Sequence, residues 1–103
     1  MMTTYANQRV INIKKNKCDA NFLQISNDDW QEAARKLSSS ALILYLYLAS
    51  NNDGFKIALS QMAVQKATGL SKASYHRGVT ELCDSGYLIK EDNGEYTFTT
   101  VSN

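Results

Sequence analysis

Apolar positions in this chain recur at two spacings, three-to-four and two, and the change from one to the other marks out its elements. In N-D-D-W-Q-E-A-A-R-K-L, Trp30, Ala33, Ala34 and Leu37 recur at helical spacing and predict an amphipathic first helix. Asp28 with Gln31, or Asp29 with Glu32, is a candidate capping box at its start. The acids at that start and Arg35 and Lys36 at the end both suit the helix dipole. Three serines, Ser38 to Ser40, then precede A-L-I-L-Y-L-Y-L-A, Ala41 to Ala49, which is apolar on every side. A helix hydrophobic all round is buried all round. Ala41, Leu44, Tyr45 and Leu48 are expected to face the domain's own core. Leu42, Ile43, Leu46 and Tyr47 need another cover, partly the first helix and then either the rest of the chain or a second subunit. The run is far shorter than the roughly 20 residues that span a bilayer.

Asn51 to Gly54 is a turn signal, and F-K-I-A-L, Phe55 to Leu59, alternates like a short strand. Ser60 is placed to cap a helix running to about Ala67, with Met62, Ala63 and the stem of Lys66 inward, and Gly69 to end it. Ser71 then caps a fourth helix that runs to about Asp84, where Gly86 stops it and opens Y-L-I-K. Asn93-Gly94 predicts a tight hairpin, with E-Y-T-F-T-T as the returning strand. Residues 1–20 are polar and rich in Asn and Lys, with V-I-N-I at Val10 to Ile13 as their only apolar patch. They read as a flexible basic arm ahead of one domain over residues 21–103.

On the fourth helix, Tyr75, Val79 and Leu82 form an inward stripe with Leu70 before them, and Gly78 lies beside it where a side chain would obstruct close helix packing. Lys72, Ala73, His76, Arg77 and Thr80 then point outward, with Ser71 and Ser74 at the helix start. Arg can pair bidentately with guanine, and Lys or a hydroxyl can meet phosphate at a helix N-terminus. His76 suits either contact or simple exposure to solvent, and Tyr75 is assigned to the core ahead of stacking.

The 103 residues and their 44% hydrophobic content fit one globular domain. Net charge is only +1, yet it is unevenly spread. Arg9, Lys14, Lys15 and Lys17 against Asp19 give residues 1–20 a balance of +3. Lys56, Lys66, Lys72 and Arg77 against Glu81 give residues 54–83 another +3, while residues 21–53 carry −2 and residues 84–103 carry −3. The positive blocks fall on the arm and on the pair of helices around Gly69, the pattern expected for a nucleic-acid partner. Lys66, Lys14 and Lys15 join the candidate contacts on that ground, with a solvated arm as the alternative. Cys18 and Cys83 are far apart, and no secretory signal is visible at the start, so reduced thiols in the cytoplasm are expected. One histidine and two unclustered cysteines supply neither a metal site nor a catalytic pair, and no glycine-rich phosphate loop occurs, so neither a cofactor nor enzymatic activity is expected.

The order helix, helix, strand, helix, helix, strand, strand, with L-S-Q-M-A-V-Q-K-A-T-G-L-S-K-A-S-Y-H-R-G-V-T-E-L-C-D-S-G-Y-L at its centre, resembles the winged helix-turn-helix family over roughly residues 27–101. The resemblance implies a mainly α fold with a small β wing: four helices, a short strand and a C-terminal β-hairpin. It also implies sequence-specific binding of double-stranded DNA through a recognition helix at about residues 71–84. The all-round apolar helix from Leu42 to Leu48, with more surface to bury than one small chain provides, predicts a homodimer. F-L-Q-I, D-W, L-Y-L-Y-L-A-S-N and G-Y-L are similar in flavour to small proteins of Gram-positive bacteria and their plasmids, phages and conjugative elements, some of them transcriptional regulators and others replication initiators or maintenance factors. The chain departs from the family at the wing. Glu91, Asp92 and Glu95 surround the tip where many members carry Arg or Lys. That departure and the neutral pI of about 7.7 keep a second reading open, a winged-helix protein-interaction module such as a phage-encoded inhibitor of a host protein.

Overall fold

The computed structural model describes residues 10–14, 23–50, 56–57 and 59–101. Four helices, α1 (Asn27–Lys36), α2 (Ser39–Ser50), α3 (Gln61–Thr68) and α4 (Lys72–Asp84), accompany a small antiparallel sheet of β1 (Lys56–Ile57), β2 (Leu88–Lys90) and β3 (Tyr96–Phe98). The strand order is β1-β3-β2, with Ile57 opposite Tyr96 and Ile89 opposite Thr97. The chain is therefore mainly helical with a small sheet, as its periodicity predicts. Of the strand expected over Phe55 to Leu59, β1 occupies Lys56–Ile57, and the Asn51 to Gly54 turn lies outside the described residues. No described helix is long and apolar enough to cross a membrane.

The start of α1 differs from the sequence reading. Its cap is Ser26, in extended backbone, whose Oγ accepts from the Asp29 amide at 3.2 Å. With the serine supplying the cap, Asp28 and Asp29 sit in the first turn as partners of the helix dipole. Ala33 and Leu37 are buried, Ala34 is exposed and Trp30 is 39% exposed, so α1 buries a narrower stripe than its spacing suggests.

α2 is the helix around which the others assemble. Ala41, Leu44, Tyr45 and Leu48 are all but inaccessible, as expected, while Leu42, Leu46 and Tyr47 are half-buried and Ile43 is exposed. Against it α4 packs most extensively, and α3 and α1 also touch it. The α2–α4 approach is close at Gly78, where an added Cβ would lie 3.4 Å from Leu44 Cδ2, 3.5 Å from Ser40 O and 3.6 Å from Ala41 Cα. Tyr45 fastens α2 to the sheet. Its hydroxyl donates to the Thr100 carbonyl at 2.9 Å, and its ring meets Tyr87 and Phe98 edge-on with centroids 5.3 and 5.5 Å apart. Such edge contacts add to the stabilisation from burial alone. The Tyr87 hydroxyl, in the same cluster, is buried without a hydrogen-bond partner.

Two local readings need correction. On α3, Met62, Ala63 and Lys66 point to solvent, Met62 at 81% exposure, and Val64 is the buried residue. With Ser60 as N-cap, the inward face runs through Gln61, Val64 and Thr68, the i−3 and i+4 neighbours of Val64. An eight-residue helix buries one narrow stripe, and the shorter valine holds it. The hairpin is also not a two-residue Asn-Gly turn. Gly94 N donates to Glu91 O at 3.1 Å and Glu91 N to Glu95 O at 2.8 Å, so the reversal centres on Asp92 and Asn93. Gly94 follows in the left-handed region at φ 86°, a three-residue loop closed by a bulge. Asn93 Oδ1 accepts from the Glu95 amide at 3.1 Å, which stabilises this wider form.

Two predictions follow from the core. Tyr45→Phe should cost about 1 kcal/mol through loss of a partly buried hydrogen bond, whereas Tyr87→Phe should leave stability unchanged or raise it, because it removes an unsatisfied hydroxyl. Burial pushes the Tyr45 phenol up to about 12, with Asp29, Tyr87 and Glu32 adding to the effect in that order. The neutral phenol is the form that the fold favours, so this stabilisation is intact below pH 10 and is lost as pH rises from 10 through about 12. Thermal melts of both variants across that range test the assignment, and equal behaviour of the two would refute it. At Gly78 the space admits a methyl in ordinary contact. Gly78→Ala should be neutral or stabilising by up to ~1 kcal/mol from helix propensity, and Gly78→Leu should cost about 1–3 kcal/mol from overpacking. Chemical denaturation of both separates these outcomes.

Candidate functional site

The α3–turn–α4 unit is fixed by local hydrogen bonds that its sequence supplies. Ser60 Oγ accepts from Ala63 N at 3.3 Å to start α3, and Gly69 ends it at φ 77°, its amide donating to Gln65 O at 2.9 Å. A residue with a Cβ is strained at that backbone angle. Thr68 Oγ1 donates to Val64 O at 2.7 Å and accepts from Leu70 N at 3.2 Å, while Gln65 Nε2 donates to Leu70 O at 3.2 Å. The Gly69 amide and both backbone groups of Leu70 are therefore held by α3 side chains or backbone. Ser71 Oγ accepts from Ser74 N at 3.1 Å and starts α4.

Tyr75, Gly78 and Leu82 are buried on the inner side of α4, and Val79 is half-buried beside them. Tyr75 is thus a core residue, with its phenol pushed up by burial first and Tyr96 second. Ser71, Lys72, Ala73, His76, Arg77 and Thr80 are exposed and Ser74 is half-buried. One outward row, Ala73, Arg77, Thr80 and Asp84, runs at i, i+4, i+7 and i+11. The Arg77 side chain turns back toward the start of the helix, where Nη2 donates to Ser74 Oγ at 3.1 Å, and Ser71 Oγ donates to the same oxygen at 3.0 Å. A guanidinium, two hydroxyls and the Lys72 ammonium thus occupy the first two turns, where the helix dipole is positive. His76 stacks edge-on against Tyr75, with centroids 5.2 Å apart. His76, Arg77 and Thr80, with Glu81 and Asp84, line an open depression of about 450 Å³.

The remaining predicted residues are not gathered there. Lys66 is exposed on the last turn of α3, and Lys14 is exposed on the arm with no described interaction joining it to α4. Lys15 lies outside the described residues, as do Cys18 and Lys17. The Cys83 thiol is pushed up by burial and then by Asp84, against a smaller lowering by Lys90. This disfavours the reactive thiolate. Among the described residues no cluster of His, Cys, Asp or Glu is able to hold a metal ion.

One residue that positions the site escaped the sequence reading. Glu81 is the lone acid of its charge block, and both its oxygens bind the start of α2. Oε2 accepts from Ser38 N at 2.6 Å and Oε1 from Ser38 Oγ at 2.7 Å, while Ser38 Oγ in turn lies 3.4 Å from Ala41 N. The serine run at Ser38 to Ser40 signals a cap in search of partners, but no local pattern names a residue 43 positions away as that partner. The carboxylate ties α4 to the start of α2. Glu81→Ala should lower stability by about 1–2 kcal/mol, because charge-assisted bonds to a partly exposed amide and hydroxyl are lost. Glu81→Gln, which keeps one acceptor, should lose less. Equal melting temperatures for Glu81→Ala and the parent would remove this latch from the account.

Comparison with protein-family models, with curated proteins and with solved structures finds no match to the chain.

Proposed function

We propose that this chain is a winged helix-turn-helix protein that binds double-stranded DNA, with the N-terminal half of α4 entering the major groove. The observation that carries this reading is the Ser71–Lys72–Ser74–Arg77 group at the start of α4, presented by a helix–turn–helix whose turn is held by hydrogen bonds from α3 side chains. Hydroxyls and amides at a helix start bind phosphate, and an Arg one turn further along reaches a guanine edge. His76 and Thr80 extend the same face, and Lys66 is available to a flanking phosphate. Asp84 and Glu81 make the far end of α4 acidic, so phosphates favour the basic end, which gives the helix a direction in the groove. In this reading two copies act together on half-sites about one helical turn, or a multiple of it, apart. The biological role is then transcriptional regulation or replication and maintenance of a bacterial genome or mobile element.

The hairpin keeps out of the DNA. Glu91 Oε1 accepts from Thr97 Oγ1 at 2.7 Å and Glu95 Oε1 from the Asn93 amide, so two carboxylates brace the hairpin while Asp92 is exposed at its tip. Their charge repels phosphates. The same acidic tip favours a second reading, a protein-interaction module whose partner is basic.

A gel shift with random and selected duplexes at low and moderate salt tests the proposal. Arg77→Ala should weaken the preferred site by ~1–3 kcal/mol and relax base preference at one position. Lys72→Ala should weaken all sequences evenly and reduce the slope of log affinity against log salt by about 0.9, the share of one phosphate. No shift at low salt, or an Arg77→Ala variant with unchanged DNA affinity and preference, gives way to the interaction-module reading.

A further inference from the structure

Two apolar surfaces of this chain lie open at once. The first is a groove of about 350 Å³ between α1 and α2, lined by Leu23, Ile25, Trp30 and Leu46. Leu23 is 43% exposed. Trp30 Nε1 donates to Asn27 Oδ1 at 3.0 Å, which satisfies the polar edge of the indole and leaves its apolar face for the groove. Ile43, three residues before Leu46 and so on the same side of α2, is 40% exposed and extends the surface. The second is the arm segment V-I-N-I, where Val10, Ile11 and Ile13 are 94, 78 and 77% exposed. Ile11 and Ile13 alternate as a strand does and present one apolar edge.

We propose that the Val10–Ile13 segment of one copy seats in the α1–α2 groove of a second copy, so that two chains exchange arms around a two-fold axis. The charges agree with this pairing. Lys14, Lys15 and Lys17 follow the apolar segment, and Asp28 and Asp29 stand immediately before Trp30 at the start of α1. Residues 14–22 join the segment to Leu23, and nine residues span up to about 30 Å, enough to reach a neighbouring groove. A second copy also covers more than an arm alone. Ile43 is not among the residues that line the groove, and a symmetric partner can bring its own α2 surface to it. Exchange buries both open surfaces on both chains, and the burial of Val and Ile side chains is favourable. The pairing deepens the dimer named under the proposed function and is independent of DNA.

Sedimentation of the full chain without DNA, with Ile11→Asp/Ile13→Asp alongside, tests the idea. The parent should dimerise, and the double variant should associate at least tenfold more weakly, with its melting temperature as a monomer unchanged because these side chains make no core contact. In a Cys18→Ser/Cys83→Ser background, oxidation of a mixture of an Ile13→Cys chain with a Leu46→Cys chain should give a disulfide-linked pair of the two. A parent that stays monomeric, a dimer indifferent to the Ile11→Asp/Ile13→Asp change, or a chain carrying both cysteines that links only to itself each overturns arm exchange. The gel shift reads α4 separately, so either idea can fail alone.

Discussion

Burial of α2 is the constraint on which the rest of this structure depends. Its nine central residues, Ala41 to Ala49, have no charged or strongly polar side chain among them, so no face of the helix is content in water. A chain of this length has little else to bury it with. The other elements share that work: α4 meets Ala41 and Leu44 at Gly78, Tyr87 and Phe98 meet Tyr45, and α3 and α1 also pack on the helix. The inner stripe of α4 exists to meet α2, and its outer row is what remains. The exposed face proposed to meet DNA is a geometric consequence of where the second helix must be hidden.

Close approach and a polar latch then fix how α4 lies. Gly78 lets the backbones meet over Ala41 and Ser40, and Glu81 ties one turn further along to the amide that opens α2. Packing alone permits sliding, since aliphatic side chains are tolerant of small shifts. A carboxylate gripping an amide and a hydroxyl is directional and does not. These two contacts pin α4 at neighbouring points on its length, and the Gln65, Thr68 and Gly69 hydrogen bonds pin its beginning. The first two turns of α4 are consequently held in place by α3 and α2 together.

Elements with strong local signals were legible in the sequence. Ser60 and Ser71 cap the helices expected of them, Gly69 takes the left-handed position, and Tyr75 is in the core. What failed was decided at a distance or by competition between neighbours. Ser26 outcompetes Asp28 and Asp29 as a cap because its backbone is already extended. Val64 displaces Met62 because the bounds of α3 set the face. The Ser38–Glu81 latch and the Tyr45–Thr100 bond link residues 43 and 55 positions apart, which no periodicity encodes. The candidate site was legible as a set of outward residues on α4. The folding of Arg77 onto Ser74 was not, since side-chain direction along a helix depends on which partners lie within reach.

The near-zero net charge is compatible with a polyanionic partner once distance is considered. At physiological salt, charges further apart than about 8 Å are largely screened from one another. In the proposed complex, a phosphate beside Lys72 or Arg77 responds chiefly to the charges that lie within that distance of it. The whole-chain sum of +1 mixes a basic helix start with an acidic helix end and an acidic loop. Under that screening the arrangement behaves as local fields of opposite sign, which is what gives α4 its direction in the proposed complex with DNA. Lowering the salt lengthens the range of every charge and brings the hairpin acids into play. In the proposed complex, affinity gained through Lys72 and Arg77 at low salt is then partly offset by Glu91, Asp92 and Glu95. A site built this way has a shallower salt dependence than its count of basic residues suggests.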